Sequence, residues 1–203
     1  MPTACPEKSE AVPLYYAAKL GFRDLTEHLI AKHPEHVNAR GGYEVTPMHA
    51  AAAAGHANIL SLLTEHGADV EGQGIDGSTP LHQASRKGKL EAGQFLLSRG
   101  ADVDALNEDN ATALMCAASA GCVELARTLL ERGALIEVRD RYDWTALHYA
   151  AHGDRIQVAR LLLEHGADVH VRSRSDLTPS QMSFGNHAFV ELLSEYGAES
   201  VIQ

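Results

Sequence analysis

"TPMHAAAAAGH" (Thr46–His56), "TPLHQASRKGK" (Thr79–Lys89), "TALMCAASAGC" (Thr112–Cys122) and "TALHYAAHGDR" (Thr145–Arg155) are four versions of one stretch. Their threonines stand 33 residues apart, and Thr178 in "TPSQMS" continues the series. A second landmark keeps the same step: "HGAD", "RGAD", "RGAL" and "HGAD" place Gly67, Gly100, Gly133 and Gly166. Two unrelated signals sharing one period over most of a chain mark an internal repeat, and periods of this length build solenoids.

Each unit can be read from its residues. Thr is a good N-cap and Pro suits the first helical position, so Thr46-Pro47 and Thr79-Pro80 open a helix. It is predicted to run about nine residues, to Gly55, Gly88 or Gly121, where glycine accepts a left-handed turn. A second helix follows, with Ile59, Leu60 and Leu63, or Leu125, Leu129 and Leu130, at helical spacing. An extended stretch such as "ADVDALNEDNA" then leads to the next threonine. Helices this short are marginal alone and must stack on neighbours. Ala17, Ala51, Ala84, Ala117 and Ala150 form a column of small residues that lets first helices approach closely. Two residues before each threonine stand Glu44, Gly77, Asn110, Asp143 and Asp176. Gly, Asn and Asp accept a left-handed backbone, which predicts a tight turn there. Glu44 breaks that rule beside the extra glycines Gly41 and Gly42.

With these residues the chain resembles the ankyrin-repeat family. The family pattern of Thr-Pro-Leu-His, a glycine, Leu-Leu and Gly-Ala-Asp is carried by "TPLHQASRKG…FLLSRGADV" and "TALHYAA…LLLEHGADV". The resemblance spans Val12 to Ala198 and implies an all-α solenoid of stacked helix-turn-helix pairs with β-hairpin-like loops. Residues 1–11 are expected to be a polar leader and 12–203 the repeat domain, with units at 12–44, 45–77, 78–110, 111–143, 144–176 and 177–203. The first of these six is one residue longer than standard between Gly21 and Val37, and the last two residues short between Thr178 and Gly197. The last also carries Ser180 and Gln181 in place of the usual Leu and His. Outer repeats meet water on one face, so both departures read as caps.

Composition narrows the function classes. Charge is −10, from 17 Lys and Arg against 27 Asp and Glu, which disfavours nucleic acid and anionic membranes. No apolar run reaches the length of a membrane span, and the N-terminus lacks the features of a secretory signal. Cys5, Cys116 and Cys122 are odd in number and irregular in spacing, which suits reduced thiols and a cytoplasmic location, with the nucleus as the alternative.

Register accounts for most of the apparent chemistry. "GQGIDG" (Gly72–Gly77) matches a dinucleotide fingerprint by letter, but "TEHGADVE" before it reads as a helix end where the fingerprint needs a strand. Among twelve histidines, His49, His82 and His148 share one column, and His66 and His165 another, just before Gly-Ala. The resemblance implies that the first column ties neighbouring loops together. Recurrence across units is a structural signature, because a metal site needs unlike ligands to converge. His33-x-x-His36 and His165 with His170 stand outside this scheme. No cysteine stands with a His and an acid at recurring positions to activate it, and no G-x-S-x-G elbow occurs. No catalytic residue, cofactor or metal is therefore assigned.

The resemblance implies that a protein partner lies on the concave side, against the loop tips and the exposed end of each first helix. In this register the tips are Gly42/Tyr43, Ile75/Asp76, Glu108/Asp109, Arg141/Tyr142 and Arg174/Ser175. The second and third are expected to be acidic, through Glu71, Asp76, Asp104, Glu108 and Asp109. Arg139, Arg141, Arg172 and Arg174 are expected to form a two-by-two patch beside Tyr142 and Trp144, unless Asp140, Asp143 and Asp176 neutralise it. Arg, Tyr and Trp dominate binding hot spots. The candidate contact residues are Tyr43, Ile75, Arg86, Arg141, Tyr142, Trp144, Arg174 and Leu177, on a chain expected to be monomeric. The rival classes are a metal-dependent hydrolase built from loop His and Asp residues, and a spacer within a larger multidomain signalling protein.

Overall fold

The computed structural model of the chain describes residues 12–41, 45–183 and 186–198. Twelve helices and one 3-10 turn, with no strand, make up the regular structure of the described residues. The helices are α1 (Val12–Leu20), α2 (Arg23–Lys32), α3 (Pro47–Ala54), α4 (Ala57–Glu65), α5 (Pro80–Arg86), α6 (Leu90–Ser98), α7 (Ala113–Ala120), α8 (Val123–Glu131), α9 (Ala146–His152), α10 (Ile156–Glu164), α11 (Pro179–Met182) and α12 (His187–Glu195). They fall into antiparallel pairs. Odd-numbered helices stack in one row and even-numbered helices in a second. The odd row is the closer packed, because its alanine column is buried: Ala17, Ala51, Ala84, Ala117 and Ala150 are each at most 2% exposed. Leu and Ile side chains fill the space between rows, with Leu14, Ile30, Ile59, Leu60, Leu63, Leu96 and Leu125 buried in one continuous core. Each such side chain contributes about 2 kcal/mol by leaving water, which is how helices of ten residues or fewer persist here.

The threonine caps form as the residue pattern predicts. In α3, α5 and α9 the cap closes into a box with the histidine three residues on. The Thr79 N–H donates to His82 Nδ1 at 3.1 Å, so the ring proton sits on Nε2, which donates to the Ala111 carbonyl of the next unit at 2.9 Å. His49 reaches Ser78 O at 2.9 Å and His148 reaches Leu177 O at 3.2 Å in the same way. Gln181 stands in for histidine in α11, accepting from the Thr178 N–H at 2.9 Å. The second histidine column ends helices: His66 and His165 donate from Nδ1 to the carbonyls of Leu62 and Leu161 at 2.8 Å.

The loops are hairpin-like, each closed by one backbone bond, such as Asp140 N to Trp144 O at 3.0 Å. Single bonds then join tip to tip: Glu108 N to Asp76 O, Arg141 N to Asp109 O and Arg174 N to Tyr142 O, at 2.8–3.1 Å. Isolated bonds of this kind form a ladder without strands. Gly77, Asn110, Asp143 and Asp176 all take the left-handed conformation expected of them, while Glu44 lies outside the described residues. A Cβ at Gly77 would stand 2.8 Å from the backbone N of Glu108. Gly72–Gly77 is thus a loop following a helix, and its last glycine serves the tip-to-tip approach. In "HGD" the early glycine caps α9 without turning left-handed: Gly153 stays right-handed and Asp154 takes the left-handed position, with φ 57°.

Two departures have structural outcomes. The extra residue of the first unit is taken up by α2, which has ten residues where the other even-numbered helices have nine, and a 3-10 turn, Pro34–His36, replaces the Gly-Ala ending. The shortfall in the last unit goes with a four-residue α11, after which Asn186 caps α12 by accepting from Ala188 N and Phe189 N.

Candidate functional site

Loop tips and odd-numbered helices share one face. On it, positions that packing does not dictate differ from unit to unit. Asp140 organises the most elaborate part. It is 3% exposed, and its Oδ1 accepts from the backbone of Tyr142 and of Trp144, both at 2.8 Å. Its Oδ2 accepts from the Tyr149 hydroxyl at 2.7 Å. Asn107, one period earlier, accepts from Asp109 N and Ala111 N, and Ser173, one period later, from Leu177 N. Burial, reinforced by the adjacent carboxylate, pushes the Tyr149 phenol far above its ordinary value.

Trp144 is half-buried. Its ring lies along α9. Its centroid is 5.1 Å from Tyr149, edge-on, 5.4 Å from His152 and 6.4 Å from His148. Tyr142 projects and is 48% exposed. The Arg141 guanidinium sits 4.9 Å over its ring and donates to its hydroxyl at 2.8 Å.

The arginines are not left as a free cationic patch. Arg141 pairs with Asp109 of the previous tip at 2.7 Å, Arg174 with Asp143 at 3.6 Å, and Arg172 with Asp176 at 3.0 Å. Arg139 donates to the Arg172 carbonyl. Asp143 and Asp176 therefore do neutralise arginines, whereas Asp140 is spent on backbone and Tyr149. Exposed pairs of this kind add little stability and exchange readily with a partner's charges.

The acidic residues also divide. Asp76 and Asp109 are at tips, but Glu71 and Asp104 are not free there. Glu71 Oε1 accepts from Asp102 N at 2.9 Å, Asp104 Oδ1 from Leu135 N at 2.9 Å, and Glu137 Oε1 from Asp168 N at 3.0 Å. These carboxylates tie each connector to the next. Asp76 accepts from Ser78 N and Oγ, with Arg86 3.8 Å away. Burial raises its carboxyl, but those hydrogen bonds and Arg86 carry it below its ordinary value.

A cavity of about 270 Å³ opens between α5, α7 and α9, lined by Arg86, Asp109, Met115, Cys116, Ser119 and Tyr149 among others. It brings Arg86 into one neighbourhood with Tyr149 and, through Asp109, with Arg141. The sequence assigns no contact role to Cys116 or Tyr149. The visible signal was that the column Ala50, Gln83, Cys116, Tyr149 changes character at each step. Burial pushes the Cys116 thiol up, although Arg86 beside it pulls the other way. Ile75, 63% exposed, stands on the second tip; Leu177, 41% exposed, closes the loop that carries Arg174; and Tyr43 lies outside the described residues. The loop histidines and aspartates bring no three metal-ligating atoms together; among the described residues one such group exists, His33, Glu35 and His36, at the end of α2.

The family model described as ankyrin repeats (3 copies) matches residues 14–107 and 94–173, well over half of the chain. The chain belongs to the ankyrin-repeat family. Ankyrin repeats are in general protein–protein interaction modules, and the face just described is where an ankyrin array offers variable side chains on a constant frame. Alpha-latrocrustotoxin-Lt1a of Latrodectus tredecimguttatus is 36% identical over 53 residues, which are 26% of this chain and 4% of that protein. The chain thus spans a small fraction of that relative's length. No helix among the described residues is long and apolar enough to cross a membrane.

Proposed function

We propose that this ankyrin array is a binding module, without catalysis of its own, that holds a protein partner across its loop tips and odd-numbered helices. The six helix pairs are read as six repeats, the outer two acting as caps. One observation carries the reading: Tyr142 and half-buried Trp144, their backbone held by the buried carboxylate of Asp140, stand with Arg141, held by Asp109, beside an open cavity on a frame otherwise occupied by packing. Preorganised aromatic and arginine side chains next to a pocket are what hot spots are made of. Tyr142, Trp144 and Arg174 form its centre, Arg141 and Arg86 its flank toward the cavity; Tyr43 and Ile75 contribute from other tips, and Leu177 from the loop that carries Arg174.

The test is affinity capture with the wild-type chain, followed by titration of the captured partner against variants. Arg174→Glu and Tyr142→Ala are expected to weaken binding roughly 30-fold, the scale of a hot-spot residue, with unchanged melting curves. Trp144→Ala should lose affinity and some stability, since its ring packs on α9. Unaltered affinity in natively melting Arg174→Glu and Tyr142→Ala would sink the assignment. A spacer role in a longer protein is the second reading, favoured by the small share of the toxin that the match covers. It predicts that no tip substitution changes any partner's affinity.

A further inference from the structure

Two columns of histidines bond alike from unit to unit, and His33 shares the position of one of them but not its hydrogen bond. It occupies the same column as His66 and His165, 33 residues before His66. Those two aim Nδ1 at the carbonyl four residues back, at 2.8 Å. His33 instead aims Nδ1 at Glu35 Oε1, 3.3 Å away. The reason lies in the residues that follow His33, since the one-residue insertion lies earlier, in the ten-residue α2. Where other repeats turn through Gly-Ala, this one continues as Pro34-Glu35-His36 in a 3-10 turn, closed by His36 N to His33 O at 3.0 Å and Val37 N to Pro34 O at 3.3 Å. The turn brings His36 Nε2 to 3.7 Å from the same Glu35 oxygen and stacks the two imidazoles with centroids 5.0 Å apart.

We propose that His33, Glu35 and His36 form a binding site for a divalent transition-metal ion of the zinc class. The three donor atoms lie within 4.8 Å of one another. In a tetrahedral zinc site with bonds of about 2.1 Å, neighbouring donors stand about 3.4 Å apart. The two edges from Glu35 Oε1 to the imidazoles, 3.3 and 3.7 Å, bracket that value. Two imidazoles and one carboxylate match the nitrogen and oxygen preference of zinc, and not the all-oxygen shell of calcium or magnesium. Three protein ligands leave a fourth position for water or for a donor from another molecule. The backbone is held by the proline and the turn's own bonds, so little ordering remains for the ion to bring about. Glu35 and His33 are well exposed and His36 is mostly covered, which gives the ion open access from one side.

The experiment is calorimetric titration of the full chain with zinc chloride, with His33→Ala, Glu35→Gln and the control His165→Ala measured alongside. One saturable site is expected in the wild type and in His165→Ala. His33→Ala should weaken it at least tenfold, and Glu35→Gln should weaken it measurably. Both substitutions are at exposed side chains, and matching melting curves without zinc confirm that the variants fold. Zinc should raise the melting temperature of the wild type and not of His33→Ala. In backbone amide spectra, zinc should shift signals from His33 to Val37 first. Stoichiometric binding unchanged in His33→Ala, shifts centred elsewhere, or no saturable binding would each overturn the proposal. Partner capture through the loop tips does not depend on this site, so either assignment can fail without the other.

Discussion

Asp140 shows how much one side chain can organise. A carboxylate with two oxygens accepts three hydrogen bonds inside the loop it begins, from Tyr142 N, Trp144 N and the Tyr149 hydroxyl. Asp140→Ala should cost on the order of 3 kcal/mol, because donors are left without acceptors. Asp140→Asn should cost much less, since Asn107 makes the same two backbone bonds one period earlier. Urea melts of the two variants check the order; equal losses would mean that charge, not hydrogen-bond geometry, holds the loop. At this scale the residues told part of the story. Asp143, Asn110 and Asp176 are legible as turn residues because a left-handed backbone restricts residue type. Asp140 was not, because Asn107 and Ser173 do the same work with different chemistry, and a column of unlike residues looks unselected.

Helices here are fastened by their caps, and the caps titrate. Burial lowers the pKa of His49, His82 and His148 below the ordinary value of about 6.5. The folded chain therefore takes up fewer protons than the unfolded chain once pH drops below 6.5. Their contribution to stability is complete above that pH and declines as pH falls toward the lowered folded-state values. His82→Gln retains an acceptor for the Thr79 N–H, as Gln181 does for Thr178. Between pH 7 and 5 its melting temperature should fall less than that of the wild type; parallel curves would remove His82 from the account. Helix positions and caps were readable because Thr, Pro and His recur at fixed spacing. The left-handed Asp154 was not, since "HGD" offers a glycine, Gly153, that caps α9 in a right-handed conformation.

Across the whole molecule, coupling between units rests on the core, the histidine bonds and the connector carboxylates Glu71, Asp104 and Glu137. Repeat arrays unfold cooperatively only while neighbouring units hold one another. Asp104→Ala removes the acceptor for Leu135 N and should cost about 1 kcal/mol. It should also broaden the denaturant transition by weakening the joint between the third and fourth helix pairs. A transition that shifts without broadening would show that the carboxylate stabilises its own loop and does not couple units. The same scale decides the contact surface. Arg141 meets Asp109, Arg174 meets Asp143, and the cavity joins α5, α7 and α9, each across a boundary between helix pairs.

By itself the sequence determined the repeat, the helix pairs, the buried alanine column and the left-handed turns. These depend on local backbone geometry or on recurrence at a fixed period, and both are written in residue order. Tertiary structure alone decided that Trp144 packs along α9, that Glu71 and Asp104 are spent on the neighbouring connector, that Cys116 and Tyr149 share a cavity, and that His33 turns toward Glu35. Each depends on which rotamer a side chain takes among neighbours about one period away or across an irregular turn, and a repeating pattern carries no record of that choice.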